Sequence, residues 1–510
     1  MSDGVARSVY VISDLHLGGA YGKTPEGRGF RMNTHANLLA EFVEALAASP
    51  ADGPQIELVI NGDMVDFLAE REDAAPCWNP FTSNSDAACA KLQTIADRDP
   101  RFFHGLGAFL DKNHRLTLLT GNHDIELALP AMRRKLKEVI GVKPHHDFEF
   151  LCNGEAYAVG EALIEHGNRY DQWNVVDYDG LRRISSLLSR RQPIPDKYSF
   201  QPSAGSKMVC WVINKIKEDY KFVDLLKPET DVAVPLLLAL EPGYRQILAT
   251  VAKLALQAHE HRMETAALPS FGGDIHADSD SSSISFASDM GTYSGDAPAN
   301  PSPASDEEAA LQQVLRNRLG GDSGAFLDAL NPAGSKLGQP IGGDISTANI
   351  IDRTIGLARL LLARDDQDIA SRLPALLKSL QALQPDKNFD RGFEAAPEYT
   401  AAASALFDGG FQYVIFGHTH LAKKIELQPG RWYLNSGTWA DLMRMPDAII
   451  SASAADARKA LEPFVQGIGA GNLAPWIVFT PTYIQLDLDV NNHIIRADLL
   501  SYKSSTAGAA

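Results

Sequence analysis

The chain has 510 residues, 45% hydrophobic and 22% charged, with a formal net charge of -17. That length exceeds what one hydrophobic core usually serves, which predicts either several domains or one domain carrying large insertions. The acidic balance argues against general binding to nucleic acid or anionic membranes, and Cys77, Cys89, Cys152 and Cys210 are too scattered for a zinc pair or a disulfide framework.

No basic segment with a long apolar region precedes the first apolar run, and the longest apolar stretch, residues 232–240, is broken by Pro235 and too short to span a bilayer. The expectation is a cytoplasmic protein with free thiols and no integral membrane segment.

Residues 8–13 read as a strand covered on both faces, because Val9, Tyr10, Val11 and Ile12 run apolar without alternation. The strand leads into Asp14-Leu15-His16. Leu38, Leu39, Phe42, Val43 and Leu46 recur at helical spacing after Asn33 or Thr34 as a cap, and Pro50 closes that helix. Residues 57–61 form the next predicted strand and end in Gly62-Asp63. Residues 73–99 hold Pro76, Asn79, Pro80, Ser83 and Asn84, which predicts an irregular excursion and then a short helix.

A helix is predicted over 102–113, a strand over 115–120 ending in Gly121-Asn122-His123-Asp124, and a helix over 125–140 closed by Gly141. Shorter strands follow at 148–151, 156–159 and 162–165, the last running into His166. This alternation predicts a layered α/β fold whose loops carry the chemistry.

Strand signal then fades until residue 411. Helical periodicity occupies 178–191, 207–220, 244–263, 349–364, 369–382 and 399–406. The expected organisation is a core in two parts, 1–169 and 411–505, interrupted by a mainly helical insertion at 170–410. Within the insertion, residues 272–306 are rich in Ser, Asp, Gly, Ala and Pro and bury too little apolar surface to offset ordering entropy, so a mobile, disordered acidic loop is expected. Strand character returns at 413–416, followed by Gly417-His418-Thr419-His420. A hairpin is predicted from 423–427 and 432–434 around Pro429-Gly430, a helix at 454–464, and two final strands at 477–488 and 493–500.

Candidate metal ligands follow predicted strands: Asp14, His16, Asp63, Asn122, His166, His418 and His420. Carboxylates and neutral imidazoles suit Mn, Fe or Zn, and two such ions can assist phosphoester hydrolysis. Asp14 and His16 stand at alternate positions, as do His418 and His420, so each pair can face one cleft if the backbone stays near extended. Arg169, three residues past His166, could clamp a phosphate, with Asp171 orienting Arg169 or His166. Asn435, Ser436 and Thr438 are candidates to line the cleft. His145-His146 and His259-x-His261 read as surface histidines, and Gly272-Gly273-Asp274 and Gly342-Gly343-Asp344 lack the strand and Lys-Ser/Thr of a phosphate loop.

In order, Asp14-x-His16, Gly62-Asp63-x-x-Asp66, Gly121-Asn122-His123-Asp124, His166-Gly167 and Gly417-His418-x-His420 resemble the motifs of the calcineurin-like metallophosphoesterases. The resemblance implies a four-layer αββα metallophosphoesterase sandwich. It implies two divalent ions, Mn favoured over Fe or Zn, with Asp14, His16 and His420 on one, Asn122, His166 and His418 on the other, and Asp63 bridging. It also implies hydrolysis of a phosphodiester or pyrophosphate bond by a metal-bridging hydroxide. His123 would contact the phosphate and protonate the leaving oxygen, with Asn122 at the substrate and Asp124 holding the imidazole of His123. Asp66 would either support the ligand shell or cap the chain locally.

Within that superfamily the second-motif Asp66 and the His-Gly with a downstream Asp are similar to the branch that includes lipid A pathway pyrophosphatases acting on UDP-diacylglucosamine. That branch has Arg in place of His123 and a much smaller cap. The expected partner is a small-molecule phosphoester, nucleotide or lipid linked, and not nucleic acid. The alternative from another class is a non-catalytic scaffold that retains the fold. Asp124 stands where protein Ser/Thr phosphatases carry Glu.

Overall fold

The computed structural model describes residues 4–19, 30–50, 53–71, 78–227, 229–247, 356, 359–360, 363, 368–381, 387–451 and 453–504. The acidic stretch 272–306, the helix expected at 349–364 apart from single positions, most of that expected at 244–263, and the His259 and glycine motifs lie outside the described residues.

The chain is a mixed α/β protein. Its strands are β1 (Arg7–Ile12), β2 (Gln55–Asn61), β3 (Arg115–Leu119), β4 (Phe148–Leu151), β5 (Tyr157–Val159), β6 (Ala162–Ile164), β7 (Leu226–Lys227), β8 (Tyr413–Phe416), β9 (Lys423–Gln428), β10 (Arg431–Asn435), β11 (Leu442–Arg444), β12 (Ile477–Val478), β13 (Thr482–Leu488) and β14 (Ile494–Ser501). They form a six-stranded sheet in the order β14-β13-β1-β2-β3-β4, a five-stranded sheet in the order β5-β6-β8-β10-β9, and a small sheet β12-β11-β7. β1 to β4 run parallel, as do β6, β8 and β10, while β13, β14 and the hairpin β9–β10 are antiparallel additions.

Side-chain alternation explains the layers. On β2, Leu58 and Ile60 join a cluster with Leu39, Phe42 and Val43 of the helix Ala36–Ala47 and with Phe102, Leu106 and Phe109 of the helix Pro100–Leu110. Val59, between them, faces the other way and packs with Val9 and Val11 against Ile164, Ile415 and Leu434 of the second sheet. The outer face of that second sheet presents Val414, Phe416 and Tyr433 to Tyr399, Ala403 and Phe407 of the helix Pro397–Asp408. Non-alternating apolar strands are therefore satisfied because both faces of each sheet are covered.

Three expectations change. The helix expected over 125–140 is a 3-10 turn, Ile125–Ala128, followed by a separate helix Pro130–Ile140. Pro130 has no N–H to extend the preceding turn, and its fixed φ suits a first helical position. The strand expected over 477–488 is split into β12 and β13 by a break that contains Pro481, and the two halves enter different sheets. Finally, apolar contacts do not divide at residue 410. Leu226, Val232 and Leu236 of the insertion pack with Leu376 and Leu380 and also with Ala440, Met443, Leu461 and Phe464. β7 pairs with β11, so part of the segment assigned to the second half of the core completes the helical body.

No helix among the described residues is long and apolar enough to cross a membrane. Cys89, Cys152 and Cys210 are free thiols.

Leu434 is fully buried between the two large sheets. Leu434→Ala should lower stability by about 3 kcal/mol, since the site is hemmed in by both sheets and cannot collapse. Chemical denaturation checks this, with a midpoint shift at unchanged slope.

Candidate metal centre

Each candidate ligand lies at or beyond the carboxyl end of a strand: Asp14 and His16 after β1, Asp63 after β2, Asn122 after β3, His166 after β6, and His418 and His420 after β8. The parallel pairing of β1, β2 and β3 in one sheet and of β6 and β8 in the other sends these ends to one edge. The backbone there is not extended, which corrects the expectation from alternate positions. Asp14, His16, Asp63, His418 and His420 have φ of 53, 43, 49, 67 and 65°. A left-handed residue turns the chain sharply, so residues two apart converge through the turn and not through the pleat.

The donors fall into two groups, Asp14 with His16 and His420, and Asp63 with His166 and His418, the atoms of each group lying within 4.8 Å of one another. His16 Nε2 and His420 Nε2 are 2.9 Å apart, and Asp14 Oδ1 is 3.4 Å from His420 Nε2. Asp63 joins the groups, with Oδ2 at 3.1 Å from His166 Nε2 and 3.8 Å from His16 Nε2. All but His418 are buried.

Tautomers follow from the outer hydrogen bonds. His166 Nδ1 donates to the Asn61 carbonyl at 2.8 Å, so its donor atom toward Asp63 is Nε2, which is buried and makes no hydrogen bond. His418 Nε2 donates to Asp171 at 3.1 Å, which leaves Nδ1 with the lone pair. Asn122 Oδ1 is buried without a hydrogen-bond partner, while its Nδ2 donates to Asn174 at 3.3 Å. Orphaned acceptors beside buried carboxylates are the complement of a cation.

The electrostatics agree. Burial alone would lower the pKa of His166, but the Asp63 and Asp14 carboxylates outweigh it and raise it to about 10. His123 behaves likewise, with burial opposed by Asp66 and Asp63, and rises to about 9. Burial would raise Asp63, yet His166, His123 and His16 hold it well below the usual carboxylate range. His420 is pushed well down by burial, then by the charge of Lys227 on β7 and by His16. The pocket draws positive charge, and a divalent ion would displace the His166 proton.

His123 does not pair with Asp124, which corrects that expectation. Its Nδ1 is 3.0 Å from Asp66, whose other oxygen is 3.6 Å from His16 Nδ1. Asp124 instead accepts the Gly121 and Met64 N–H groups at 2.7 and 2.8 Å and ties the two motif loops together; burial and then Asp63 raise it to about 7. Arg169 pairs with Glu165 at 3.2 Å and donates to the Gly154 carbonyl, so it touches none of the ligand side chains. Asp171 orients His418, where the sequence suggested Arg169 or His166.

Asn435 and Ser436 are fully buried and support the loops from behind, whereas Thr438 braces a loop and also lines a cleft beside His420. Asn435 donates to the Gly417 carbonyl at 2.7 Å and Thr438 to the Asp14 carbonyl at 2.6 Å. Ser436 meets Ser13 at 2.6 Å, and Ser13 donates to Asp14. Sequence reasoning missed Ser13 and Asn174: Ser13 had only its place beside Asp14 as a signal, and Asn174 had none. In a further group, Asp111 and His145 are exposed but the His146 side chain is buried, its Nε2 2.9 Å from Asp111 and its Nδ1 accepting the Lys143 N–H, so the expectation of surface histidines fits His145 and not His146.

No family model, curated protein or solved structure matches the chain. The donor set itself offers oxygen and nitrogen atoms in two groups, with Asp63 3.8 Å from a histidine of one and 3.1 Å from a histidine of the other.

Gly121 has no room for a side chain, since a Cβ would stand 2.1 Å from Asp63 Oδ1 and 2.6 Å from its backbone nitrogen. Gly121→Ala should shift Asp63 and weaken Mn affinity at least about tenfold, as measured by equilibrium dialysis. Asp171→Asn keeps shape but loses the charge that fixes His418, and dialysis should show Mn affinity lower by about 10–100-fold.

Proposed function

We propose that the chain is a dinuclear metal-dependent phosphoesterase that hydrolyses a phosphodiester or pyrophosphate bond, built as a four-layer αββα sandwich of the calcineurin-like metallophosphoesterase type. The observation that carries this reading is the meeting of two donor groups at Asp63, with the buried Asn122 Oδ1 beside them left without a hydrogen-bond partner.

Asp14, His16 and His420 would hold one divalent ion, Asn122, His166 and His418 the other, and Asp63 both. Two such ions, Mn favoured over Fe or Zn, supply Lewis acidity for the phosphoryl oxygens and a nucleophile from water at neutral pH.

The chain's own residues supply the rest. The Asp66 and Asp63 carboxylates outweigh burial and favour the protonated form of His123, and its side chain is 16% exposed, more than the candidate ligands beside it. It can therefore reach a substrate and give its proton to the departing oxygen, while Asp66 holds the ring through Nδ1. Asp66 also touches His16, so the acid and the first ligand group are positioned by one carboxylate. Asn122, fixed by Asn174, is placed to contact a phosphoryl oxygen beside the second group.

Metal analysis of the purified chain and hydrolysis of bis-p-nitrophenyl phosphate with and without Mn test the proposal. An inert chain that takes up no metal would leave only a binding scaffold. Asp63→Ala should lose both metal and activity. His123→Ala should retain metal while kcat falls by about 10²–10⁴-fold; equal loss of metal in the two variants contradicts the roles of Asp63 as ligand and His123 as acid.

A further inference from the structure

A cleft with about 440 Å³ of empty space, part of it open to solvent, lies beside His420, between the candidate ligand loops and strands β11 and β12 of the small sheet. Phe389, Arg391, His420, Leu442, Val478 and Thr480 are among its walls. Leu442 and Val478 face each other as a β11–β12 pair, so the small sheet supplies an apolar side. Arg391 is another of the lining residues.

Arg391 differs from its cationic neighbours. Lys424 is paired with Asp498 at 2.8 Å and Arg444 with Asp447 at 2.9 Å. Arg391 makes one side-chain hydrogen bond among the described residues, from Nη2 to Ser501 Oγ at 3.0 Å, and its carbonyl is fixed by the Lys424 N–H at 2.8 Å. In a chain of net charge -17, an arginine with no carboxylate partner among the described residues, on a held backbone and in the same cleft as a metal-ligand histidine, is set for an anion from outside. Lys227, the end of β7, adds positive potential toward His420.

From this we infer that the cleft is a subsite for the second phosphate of a disubstituted pyrophosphate, with Arg391 as its anchor and Phe389, Leu442 and Val478 as the wall along which the attached organic group lies. The inference rests on the phosphoesterase reading above and narrows its substrate class from phosphodiesters in general to phosphoanhydrides. The balanced reaction breaks one P–O bond of the P–O–P bridge. Water adds its oxygen to the phosphorus at the metal centre, and the bridging oxygen leaves with the phosphate held by Arg391, giving two phosphomonoesters.

The Mn-loaded full chain is assayed on ADP-ribose, a pyrophosphodiester, and on bis-p-nitrophenyl phosphate, which has no second phosphate. Arg391→Gln should lower the ratio of kcat/KM between these substrates by about tenfold or more, chiefly through KM for ADP-ribose, and Arg391→Lys should restore part of it. Calorimetry with imidodiphosphate and with inorganic phosphate gives a readout without turnover: the preference for imidodiphosphate should vanish in Arg391→Gln. An unchanged ratio and unchanged preference overturn the subsite and leave the metal centre standing. If Mn binds but neither substrate is hydrolysed, the phosphoesterase reading falls and the calorimetric preference alone decides the anion site. A chain that binds no Mn overturns both.

Discussion

Five candidate ligand residues adopt left-handed backbone, and the rest of the site depends on that. Asp14, His16, Asp63, His418 and His420 account for five of the eight non-glycine residues with positive φ among the described residues. Such conformations cost on the order of 1–3 kcal/mol each and persist where their surroundings over-determine them. In this centre the determination is visible. The His16 N–H donates to the Asp63 carbonyl at 2.9 Å and the Asp14 N–H to the Gly62 carbonyl at 3.2 Å, which locks the first two turns against each other. The His418 N–H reaches the Asp14 carboxylate at 3.0 Å, which ties a loop of the second sheet to a loop of the first. Strain at one turn is thus borne by hydrogen bonds from another.

That mutual locking concentrates charge. Asp14 and Asp63 are buried where solvent cannot stabilise a carboxylate, and the sheets above and below are apolar. Imidazoles answer this need in part, which is why His166 and His123 are drawn to high pKa. They answer it incompletely, because Asn122 Oδ1 and one nitrogen each of His16 and His420 remain buried without hydrogen bonds.

Much of this is legible in the amino-acid order alone. Strand ends can be placed because runs such as Val9 to Ile12 have no polar alternation, and the ligand residues follow those runs directly. What escapes is whatever depends on chain reversal. Spacing suggests extended pairs at Asp14 and His16, whereas the left-handed turns bring them together by another route. The partner of His123 escapes for the same reason: Asp124 is adjacent in sequence, but its carboxylate is taken by the Gly121 and Met64 N–H groups, and the loop after β2 swings Asp66 into its place. Local rules likewise cannot show that residues 477–488 serve two sheets, since Ile477 and Val478 carry the same strand pattern as the residues after Pro481.

The helical body is held by more than side chains. After Asn435 the chain runs through Thr438, bonded to the Asp14 carbonyl, and Trp439, buried against the helices of the large sheet, and then reaches Ala440 and Met443 in the helical body. The Met443 N–H donates to the Leu225 carbonyl at 2.6 Å, and the Asp441 N–H to the Met32 carbonyl at 2.9 Å. A short stretch of backbone therefore supports a ligand turn at one end and pairs with the insertion at the other. A hinged lid would need a connection with few buried contacts, and this one is buried along its length. The wall it forms beside His420 belongs to the same hydrogen-bonded frame as Asp14, so the shape of that wall is preformed and does not depend on a separate closing movement.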